Sequence, residues 1–383
     1  MEIFKEIIEE SFSELKDHRR AEGQRHPFIN LIVICVCAVI ANAESEKDIY
    51  EYGMAKQDWL KTFLNLNHGI PSESTFKRFL ALINSDQLEK CFIEFTKRLP
   101  VNSSGGHIAI DGKTLCSSYD QRKGQSTIHM LSALATEHGI TLAQVKTNDK
   151  SNEITAIPEL INMLNIEGTV VSMDAMGTQK SIAKQIVDKK GDYVLALKSN
   201  HLTFYDEVEE FFKQGIQSNF QNIEYQHKTT TDKGHGRIEE REYIICNVDH
   251  ESISEKVKWK GVQSIIYSTT KRHEVLTNKI STETRLFISS LSIAHGEKIA
   301  TAIRSHWGIE NSLHYVLDVT FGEDDSRIRT GNAAENFSVL RRLALNVLRC
   351  DKSKGSIRTK RLQASWNNSF MENLLISCKE RMT

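Results

Sequence analysis

The stretch TVVSMDAMGTQKSIAKQIVDKKGDYVLALK (Thr169–Lys198) decides the fold. Its first residues are apolar and β-branched, which predicts a buried strand that ends at Asp174. The amphipathic pattern of QKSIAKQIVDKK then predicts a helix, and DYVLALK predicts a second strand. Strands that alternate with helices in this way are typical of a sheet with helical crossovers, covered by helices.

The neighbouring segments extend this pattern in both directions. HIAID (His107–Asp111) is a short apolar strand that also ends in a carboxylate, and Ser126–Thr147 predicts two strands joined by the turn TEHG. Helices are predicted over Glu153–Asn165 and Leu202–Phe212, so the order is β-β-β-α-β-α-β-α. The predicted fold class is therefore α/β, with a mixed sheet. Residues 220–290 alternate like antiparallel strands with polar turns and predict a β-rich insertion.

Residues 1–98 have helical periodicity and predict a small all-α domain before the sheet. Phe28–Ala43 is apolar on most sides, whereas Asp48–Leu64 is amphipathic. The helix SESTFKRFLALI follows a short turn that contains glycine, which is compatible with a helix-turn-helix exposing Lys77 and Arg78. Helical hairpins that bind no DNA are commoner, so both interpretations stay open.

Composition places the remaining boundaries. PVNSSGG (Pro100–Gly106) is a linker by composition, so residues 99–350 are predicted to form the sheet domain and residues 351–383 a basic C-terminal segment. Ser326–Thr383 carries 12 basic and 4 acidic residues, a net charge of +8, although the whole chain is at −1. Such a segment is either a footprint for phosphates or a solvated helical face.

Composition also excludes several classes of protein. Hydrophobic residues make up 39% of the chain and charged residues 26%, which excludes disordered and fibrous proteins. The longest apolar run, Leu31–Ala41, is about half of the ~20 residues that a membrane span needs. The acidic N-terminus lacks the order of a signal peptide, so we expect a cytoplasmic protein that uses no membrane.

Asp111 and Asp174 are the first candidates for chemistry, because each ends a strand of the predicted sheet. Ligands of such sheets bind beyond the strand ends, and two adjacent carboxylates repel each other unless they share a proton or a cation. Oxygen ligands favour Mg²⁺ or Mn²⁺, and a third carboxylate would complete a two-metal site. Taken alone, Asp111 fits better as the start of the turn AIDGKT, and Asp174 as a cap, than either does as a catalytic residue.

Glu310 is the third candidate, because it lies beside the apolar stripe of a predicted helix in HWGIENSLHYVLD. Asp318 and the run Glu323–Asp325 compete with it, although that run follows Gly322 and is predicted to be an exposed loop. His306 and His314 are eight residues apart, too far to share one metal without help, and are interpreted as core or surface histidines.

Seven motifs, in the same order, resemble bacterial insertion-sequence transposases, and most of all the group containing the H-repeat-associated proteins of Rhs elements. The motifs are IAIDGKTL, KSNEITAIPELI, VSMDAMGTQKSIA, YVLALKSNH, GHGRIEER, RLFISSL and IRSHWGIENSLHYVLDVTFGEDDSRIRTGNAAENFSVLRRLALN. The N-terminal RHPFINLIVICVCAVIANAES and GIPSESTFKRFL are similar to that group's transposase-associated domain. The resemblance therefore covers nearly the whole chain.

The resemblance implies a ribonuclease H-like catalytic core whose DDE triad is Asp111, Asp174 and Glu310. These residues would hold two Mg²⁺ ions, for which Mn²⁺ could substitute. Related transposases surround the glutamate with a Tyr, Arg and Lys pattern, but Ile303, His306 and Leu317 stand at those places here. Arg304 or Lys198 would then supply the phosphate contacts.

The expected function is that of a DNA transposase. It would cut the terminal inverted repeats of an insertion element, join the freed 3′-hydroxyl to target double-stranded DNA, and act as a homodimer associated with the nucleoid. The alternatives are a ribonuclease H-like nuclease that does not join strands and a non-catalytic DNA-binding remnant. The candidate DNA contacts are Lys77, Arg78, Lys198, Arg237, Arg304, Arg327, Arg329, Arg341 and Arg342.

Overall fold

The computed structural model describes residues 2–19, 24–99, 105–115, 118, 127–147, 153–234 and 236–380. The chain divides into two compact units. Unit A comprises Met1–Val101, Gly112–Asn152 and Ile309–Thr383. Unit B comprises Asn102–Asp111 and Glu153–Gly308. Most of the predicted linker, residues 100–104, lies outside the described residues, and the predicted boundaries near residues 98 and 350 stay predictions.

The elements of both units follow in chain order. The helices are α1 (Glu2–Ser11), α2 (Phe28–Ile40), α3 (Glu46–Ala55), α4 (Gln57–Leu60), α5 (Glu73–Leu82), α6 (Ser85–Lys97), α7 (Glu153–Met163), α8 (Lys180–Asp188), α9 (Leu202–Gln217), α10 (Gly296–His306), α11 (Tyr315–Phe321), α12 (Ala333–Cys350), α13 (Ile357–Trp366) and α14 (Asn368–Glu380). The strands are β1 (His107–Leu115), β2 (Ile128–Ala135), β3 (Ile140–Thr147), β4 (Val170–Met173), β5 (Asp192–Leu197), β6 (Tyr225–Gly234), β7 (Arg237–Asn247), β8 (Ser264–Glu274) and β9 (Lys279–Ser289). Among the described residues, no helix combines the length and the apolar character that crossing a membrane requires.

The strands confirm the predicted mixed sheet. In unit B they are ordered β1-β4-β5-β9-β8-β7-β6, and β1, β4 and β5 run parallel. The chain connects β4 to β5 through α8, as the pattern of Thr169–Lys198 predicts. Strand β1 runs on past Asp111 into unit A, where the order is β3-β2-β1.

The predicted β-rich insertion continues the sheet of unit B. Strand β9 pairs antiparallel with β5, from Val194 opposite Ser289 to Leu197 opposite Leu286, and β8, β7 and β6 follow outward. The inner end of β9 reads LFIS and is buried, whereas its outer end is exposed. Strand β9 therefore has one end in the core and one end in solvent, whereas the outermost strand β6 has no buried residue. The core beside α10 contains Val170, Val194, Tyr243, Ile245, Ile266, Phe287, Ile299 and Ile303.

Unit A is built around α12, which is buried along almost its whole length. It contacts α2, α5, α6, α13, α14 and β3. Two buried amides anchor it: Asn336 donates to the carbonyls of Leu80 and Ile83, and Asn346 both donates to and accepts from the backbone of Thr141. The β2–β3 ladder shifts register beside Thr141, so Asn346 satisfies backbone groups that a regular ladder would pair.

Two helical predictions need correction. The single helix predicted over Asp48–Leu64 is divided into α3 and α4, because Lys56 leaves helical geometry with φ −107° and ψ 13°. Helix α4 is bound to the C-terminal part of the chain, because the indole N–H of Trp59 donates to Glu372 at 2.7 Å. The segment after residue 350 was predicted only as basic, yet it forms α13 and α14. Long-range contacts decide both features, and a local pattern does not contain them.

Part of the basic stretch Ser326–Thr383 is buried rather than exposed. Arg341 and Arg342 are buried, with 2% and 0% of their surface exposed, so the prediction that they contact DNA phosphates is wrong for this structure. Arg342 Nη1 donates to Glu323 Oε1 at 2.9 Å, and the Arg341 guanidinium lies 4.5 Å from the centre of the Phe337 ring. Glu323, predicted in an exposed loop, is buried as well. The negative charge of Glu323 balances the positive charge of Arg341 and Arg342, which in the sequence look like part of a basic surface.

Arg361 is buried for a similar reason. Its guanidinium donates to the carbonyls of Val39 and Thr320 and lies 3.9 Å from the centre of the Phe321 ring. Backbone acceptors and an aromatic face thus replace water around this cation.

Replacing Glu323 by Gln should destabilise unit A strongly. The side chain keeps its shape, but Arg341 and Arg342 lose the buried negative charge beside them. Removing one partner of a buried ion pair typically costs about 3–5 kcal/mol. The free energy of unfolding from urea denaturation measures this cost. The matched control is Glu51→Gln on the exposed surface of α3, which should change stability by less than about 0.5 kcal/mol. Equal stability of the two variants would show that Glu323 does not compensate the arginines.

Candidate active site

The register of β1 and β4 places Asp111 and Asp174 at equivalent positions. The two strands are parallel and pair from His107 opposite Val170 to Ile110 opposite Met173. Asp111 and Asp174 each come one residue later, where β4 ends. Neighbouring strands are about 4.8 Å apart, so the backbones of Asp111 and Asp174 come to the same level where the pairing of β1 with β4 ends.

Backbone amides orient the carboxylate of Asp174. Its Oδ1 accepts hydrogen bonds from the N–H groups of Met176 at 2.9 Å and Gly177 at 3.2 Å. Both bonds end on the same oxygen, which leaves Oδ2 as the oxygen that a cation would bind. The capping role that the sequence suggested for Asp174 is therefore present, and it fixes the side chain without occupying both oxygens.

Lys198 lies at the same edge, after β5. Because Leu195 pairs with Met173, Ala196 is level with Asp174 and Lys198 follows two residues later. The loop after Lys198 is held against the loop after Asp174: Asn200 donates to the carbonyl of Ala175 at 2.8 Å, and His201 Nε2 lies 2.6 Å from the carbonyl oxygen of Thr178. An exposed cation thus stands on a braced loop beside the aspartates.

Glu310 lies in unit A, in a π-helical turn over Ile309–His314 that precedes α11. Such turns are rare and often occur at functional sites. The exposed Glu310 carboxylate lies with Oε2 at 3.0 Å from Nδ1 of the buried His314. This hydrogen bond, together with the positive charge of Lys113, holds the pKa of Glu310 below its usual value, so the group is ionised at neutral pH. Glu310 and His314 offer an oxygen and a nitrogen within reach of one metal ion.

Three of the four acids that compete with Glu310 have cationic partners within unit A. The ammonium of Lys113 binds Asp318 at 2.7 Å and Asp324 at 2.6 Å. Glu323 binds Arg342, as described above. Asp325 is exposed. Three of the four competitors are thus paired with lysine or arginine, and two of them share the single ammonium of Lys113.

The predicted DNA contacts differ in their availability. Lys77 and Arg78 are exposed on α5, and Lys198, Arg237 and Arg327 are exposed as well. Arg304 is exposed but paired with Asp232 at 3.0 Å. Arg329 is half-buried. Arg237 also has a carboxylate partner, because its guanidinium lies 3.9 Å from Glu239. Arg237 and Arg304 would therefore have to exchange a carboxylate for a phosphate.

A chain of three side chains was missed by sequence reasoning. In unit B, Ser172 Oγ lies 2.7 Å from His107 Nε2 and 2.8 Å from His306 Nδ1. Burial lowers the pKa of His107 to about 3 and that of His306 to about 4, although the nearby Asp174 acts to raise the latter. The only signal in the sequence is the spacing: Ser172 precedes Asp174 by two residues, which places both on one face of the strand.

Two family models match the chain. The model described as "Transposase DDE domain" matches residues 102–347, and the model described as "DDE_Tnp_1-associated" matches residues 9–96. The chain belongs to the DDE transposase family. The predicted resemblance is thereby confirmed, and the aspartates at the sheet edge of unit B lie within the matched DDE domain.

Relatives of this DDE transposase match over nearly full length. It is 40% identical to "Putative transposase YncI" of Escherichia coli O157:H7, over 96% of this chain and 94% of that protein. It is 38% identical to "H repeat-associated putative transposase YhhI" of Escherichia coli K12, over 96% of this chain and 97% of that protein. A solved piggyBac transposase synaptic complex with hairpin DNA aligns at a TM-score of 0.42 and 14% identity, over 99% of this chain and 80% of that chain.

The lowered pKa values predict that acid destabilises the fold through His107 and His306. Below pH 6.5 the unfolded chain binds protons at both rings. The folded protein keeps His306 neutral down to about pH 4 and His107 neutral down to about pH 3. Stability should therefore be highest above pH 6.5 and fall steadily as the pH drops towards 4. Urea denaturation at a series of pH values measures this slope. A His107→Gln variant should have a shallower slope than the wild type, and an unchanged slope would contradict the assignment.

Proposed function

We propose that this DDE transposase cuts the ends of an insertion element and joins the freed 3′-hydroxyl to target DNA. The observation that supports the proposal is the register of β1 and β4, in which Ile110 pairs with Met173, one residue before Asp111 and Asp174. Glu310, ionised at neutral pH, would be the third acid of the site.

The carboxylates fit a site for divalent cations. Two neighbouring carboxylates repel each other, and a shared cation relieves that repulsion. Asp174 keeps Oδ2 clear of its backbone hydrogen bonds, and oxygen donors of this kind suit Mg²⁺, with Mn²⁺ as a substitute. Asp111, Asp174 and Glu310 would hold the ions. Bound in pairs, such ions stabilise the charge on the attacking and leaving oxygens of a phosphodiester.

The chain's own residues would then orient the reactants. The braced Asp174 presents one oxygen in a fixed direction, and His314 keeps the Glu310 carboxylate in one orientation. Lys198 would bind a phosphate oxygen of the DNA strand at the sheet edge. A water molecule attacks the phosphorus in line, and the bond to the 3′-oxygen breaks and leaves a 3′-hydroxyl. That hydroxyl attacks a phosphodiester of the target in the same way, so a bond is exchanged without a covalent enzyme intermediate.

Recognition of the DNA ends is assigned to the helical N-terminal region. Lys77 and Arg78 lie exposed on α5, where they would contact phosphates of the terminal repeats. Because two ends must be held together, the active form would be a homodimer on DNA. It would act in the cytoplasm, where a bacterial protein has access to the chromosome.

Replacing Asp174 by Asn should abolish cleavage and leave DNA binding intact. Asparagine still accepts the hydrogen bonds from Met176 and Gly177 but loses the charge that holds a cation. The cleavage rate should fall on the order of 10³-fold or more. The assay uses DNA that carries the element's own ends, with and without Mg²⁺, and follows both cut and joined products. The matched control is Asp206→Asn on the exposed surface of α9.

The products separate the alternatives. Mg²⁺-dependent cutting followed by joining supports a transposase, cutting without joining indicates a nuclease, and binding without cutting by the wild type indicates a DNA-binding remnant. Normal cleavage by the Asp174→Asn protein would refute the proposed triad.

Replacing Lys77 and Arg78 by Ala should weaken binding to the element's ends and reduce its dependence on salt. Each lost phosphate contact lowers the slope of log K against log salt by about 1. Fluorescence anisotropy at several salt concentrations measures both quantities. Lys90→Ala, an exposed change on α6, is the control. If the double variant binds the ends like the control, the recognition role of α5 is wrong.

A further inference from the structure

His107, Ser172 and His306 form a continuous hydrogen-bonded chain across unit B. His107 starts β1, Ser172 lies in β4 and His306 ends α10, so the chain ties one helix to the two strands that carry the aspartates. The distances of 2.7 Å and 2.8 Å are those of well-formed hydrogen bonds. His107 and Ser172 are buried, at 7% and 2% exposure. Water therefore does not compete for these bonds.

The serine hydroxyl gives the chain a direction. It has one proton, so it donates to one imidazole nitrogen and accepts from the other. If His107 Nε2–H donates to Ser172, the hydroxyl donates to His306 Nδ1, and His306 carries its own proton on Nε2. If the direction is reversed, His306 Nδ1–H donates and Nε2 has the lone pair. In both directions the bond to Ser172 couples the tautomer of His306 to that of His107 and holds the orientation of the His306 ring.

This chain lies on the same face as the carboxylates. Side chains two residues apart in a strand share a face, so Ser172 shares one with Asp174, and His107 shares one with Asp111 through Ala109. Ala109 pairs with Ser172, so the side chains of His107 and Asp111 in β1 and of Ser172 in β4 lie on the same face of the sheet. Helix α10 contacts β4 on this face. The charge of Asp174 is close enough to influence the His306 ring. In the sequence, Glu310 follows His306 by four residues.

We infer that His306 is a positioning residue, oriented by Ser172 and His107, that fixes the end of α10 against the strands bearing Asp111 and Asp174. The inference rests on the proposed function, since it concerns the geometry of that site. It assigns His306 a different role from a phosphate contact. One ring nitrogen is already bonded to Ser172, so DNA could use at most the other, whereas an exposed cation could form several bonds to phosphate.

A role in positioning predicts that Ser172 and His306 act as one unit. Ser172→Ala removes the link without touching DNA, and His306→Gln removes the ring at its other end. Each should slow single-turnover cleavage about 10–100-fold, because small displacements of a catalytic group are costly. The double variant should be no slower than the slower single variant, since residues in one network are not additive. The affinity for DNA should stay at the wild-type value in all three.

Two further variants keep the test sharp. Ser264→Ala is the matched control, because Ser264 is another buried serine of unit B whose hydroxyl donates to one acceptor, the carbonyl of Leu291 at 2.7 Å. It should cleave at the wild-type rate per folded molecule. Ser172→Thr keeps the hydroxyl and should restore most of the rate lost in Ser172→Ala. Imidazole ¹⁵N chemical shifts report the tautomer of His306, and should change in Ser172→Ala and stay unchanged in Ser264→Ala.

The outcomes are distinct. If the wild-type protein cleaves DNA and the Ser172→Ala and His306→Gln variants cleave it at the same rate, the inference is overturned and the proposed function stands. Weaker DNA binding by His306→Gln alone would overturn it in favour of a phosphate contact. Additive rate losses in the double variant, or an unchanged His306 tautomer in Ser172→Ala, would also overturn it. A wild type that does not cleave DNA would refute the proposed function, and the positioning role with it.

Discussion

The parallel pairing of β1 with β4 is the constraint on which the proposed site depends. It sets two carboxylates at the same level of neighbouring strands, where their mutual repulsion must be relieved. In the proposed function a shared cation relieves this repulsion, and the backbone N–H groups of Met176 and Gly177, which bond to one oxygen of Asp174, would orient its carboxylate. A sheet with the same strands shifted by one residue would turn one aspartate to the opposite face.

Charge compensation in unit A decides which acids remain for chemistry. Lys113 pairs with Asp318 and Asp324, and Arg342 pairs with Glu323. Of the acidic run after α11, Glu323 is therefore part of the folded core, whereas Asp325 is exposed. Glu310 is instead exposed in a π-helical turn and hydrogen-bonded to a histidine. The same compensation explains why a segment with a high positive charge need not be a DNA-binding surface: its arginines at 341 and 342 are consumed inside the fold.

The sequence predicts the features that local patterns encode. Alternating strands and helices around Thr169–Lys198, and the strand end before Asp174, follow from periodicity, and the family follows from the motifs. The strand end predicted at Asp111 is wrong, because β1 continues to Leu115 after its pairing with β4 stops. Features that depend on distant partners are not visible in this way: the carboxylate that neutralises Arg342 is 19 residues earlier, and the helix break at Lys56 is accompanied by contacts with residues beyond 360. The chain from His107 to His306 joins residues that are 199 positions apart, and no local pattern marks it.

Anomalous scattering from crystals of the protein bound to its DNA ends and soaked with Mn²⁺ tests the central claim most directly, because it locates the cations themselves. The account predicts a pair of manganese peaks ~3.5–4 Å apart, within about 2.0–2.3 Å of carboxylate oxygens from Asp111, Asp174 and Glu310. Peaks bound instead by Asp318 or Asp324, with Asp111 and Asp174 carrying no metal, would contradict it.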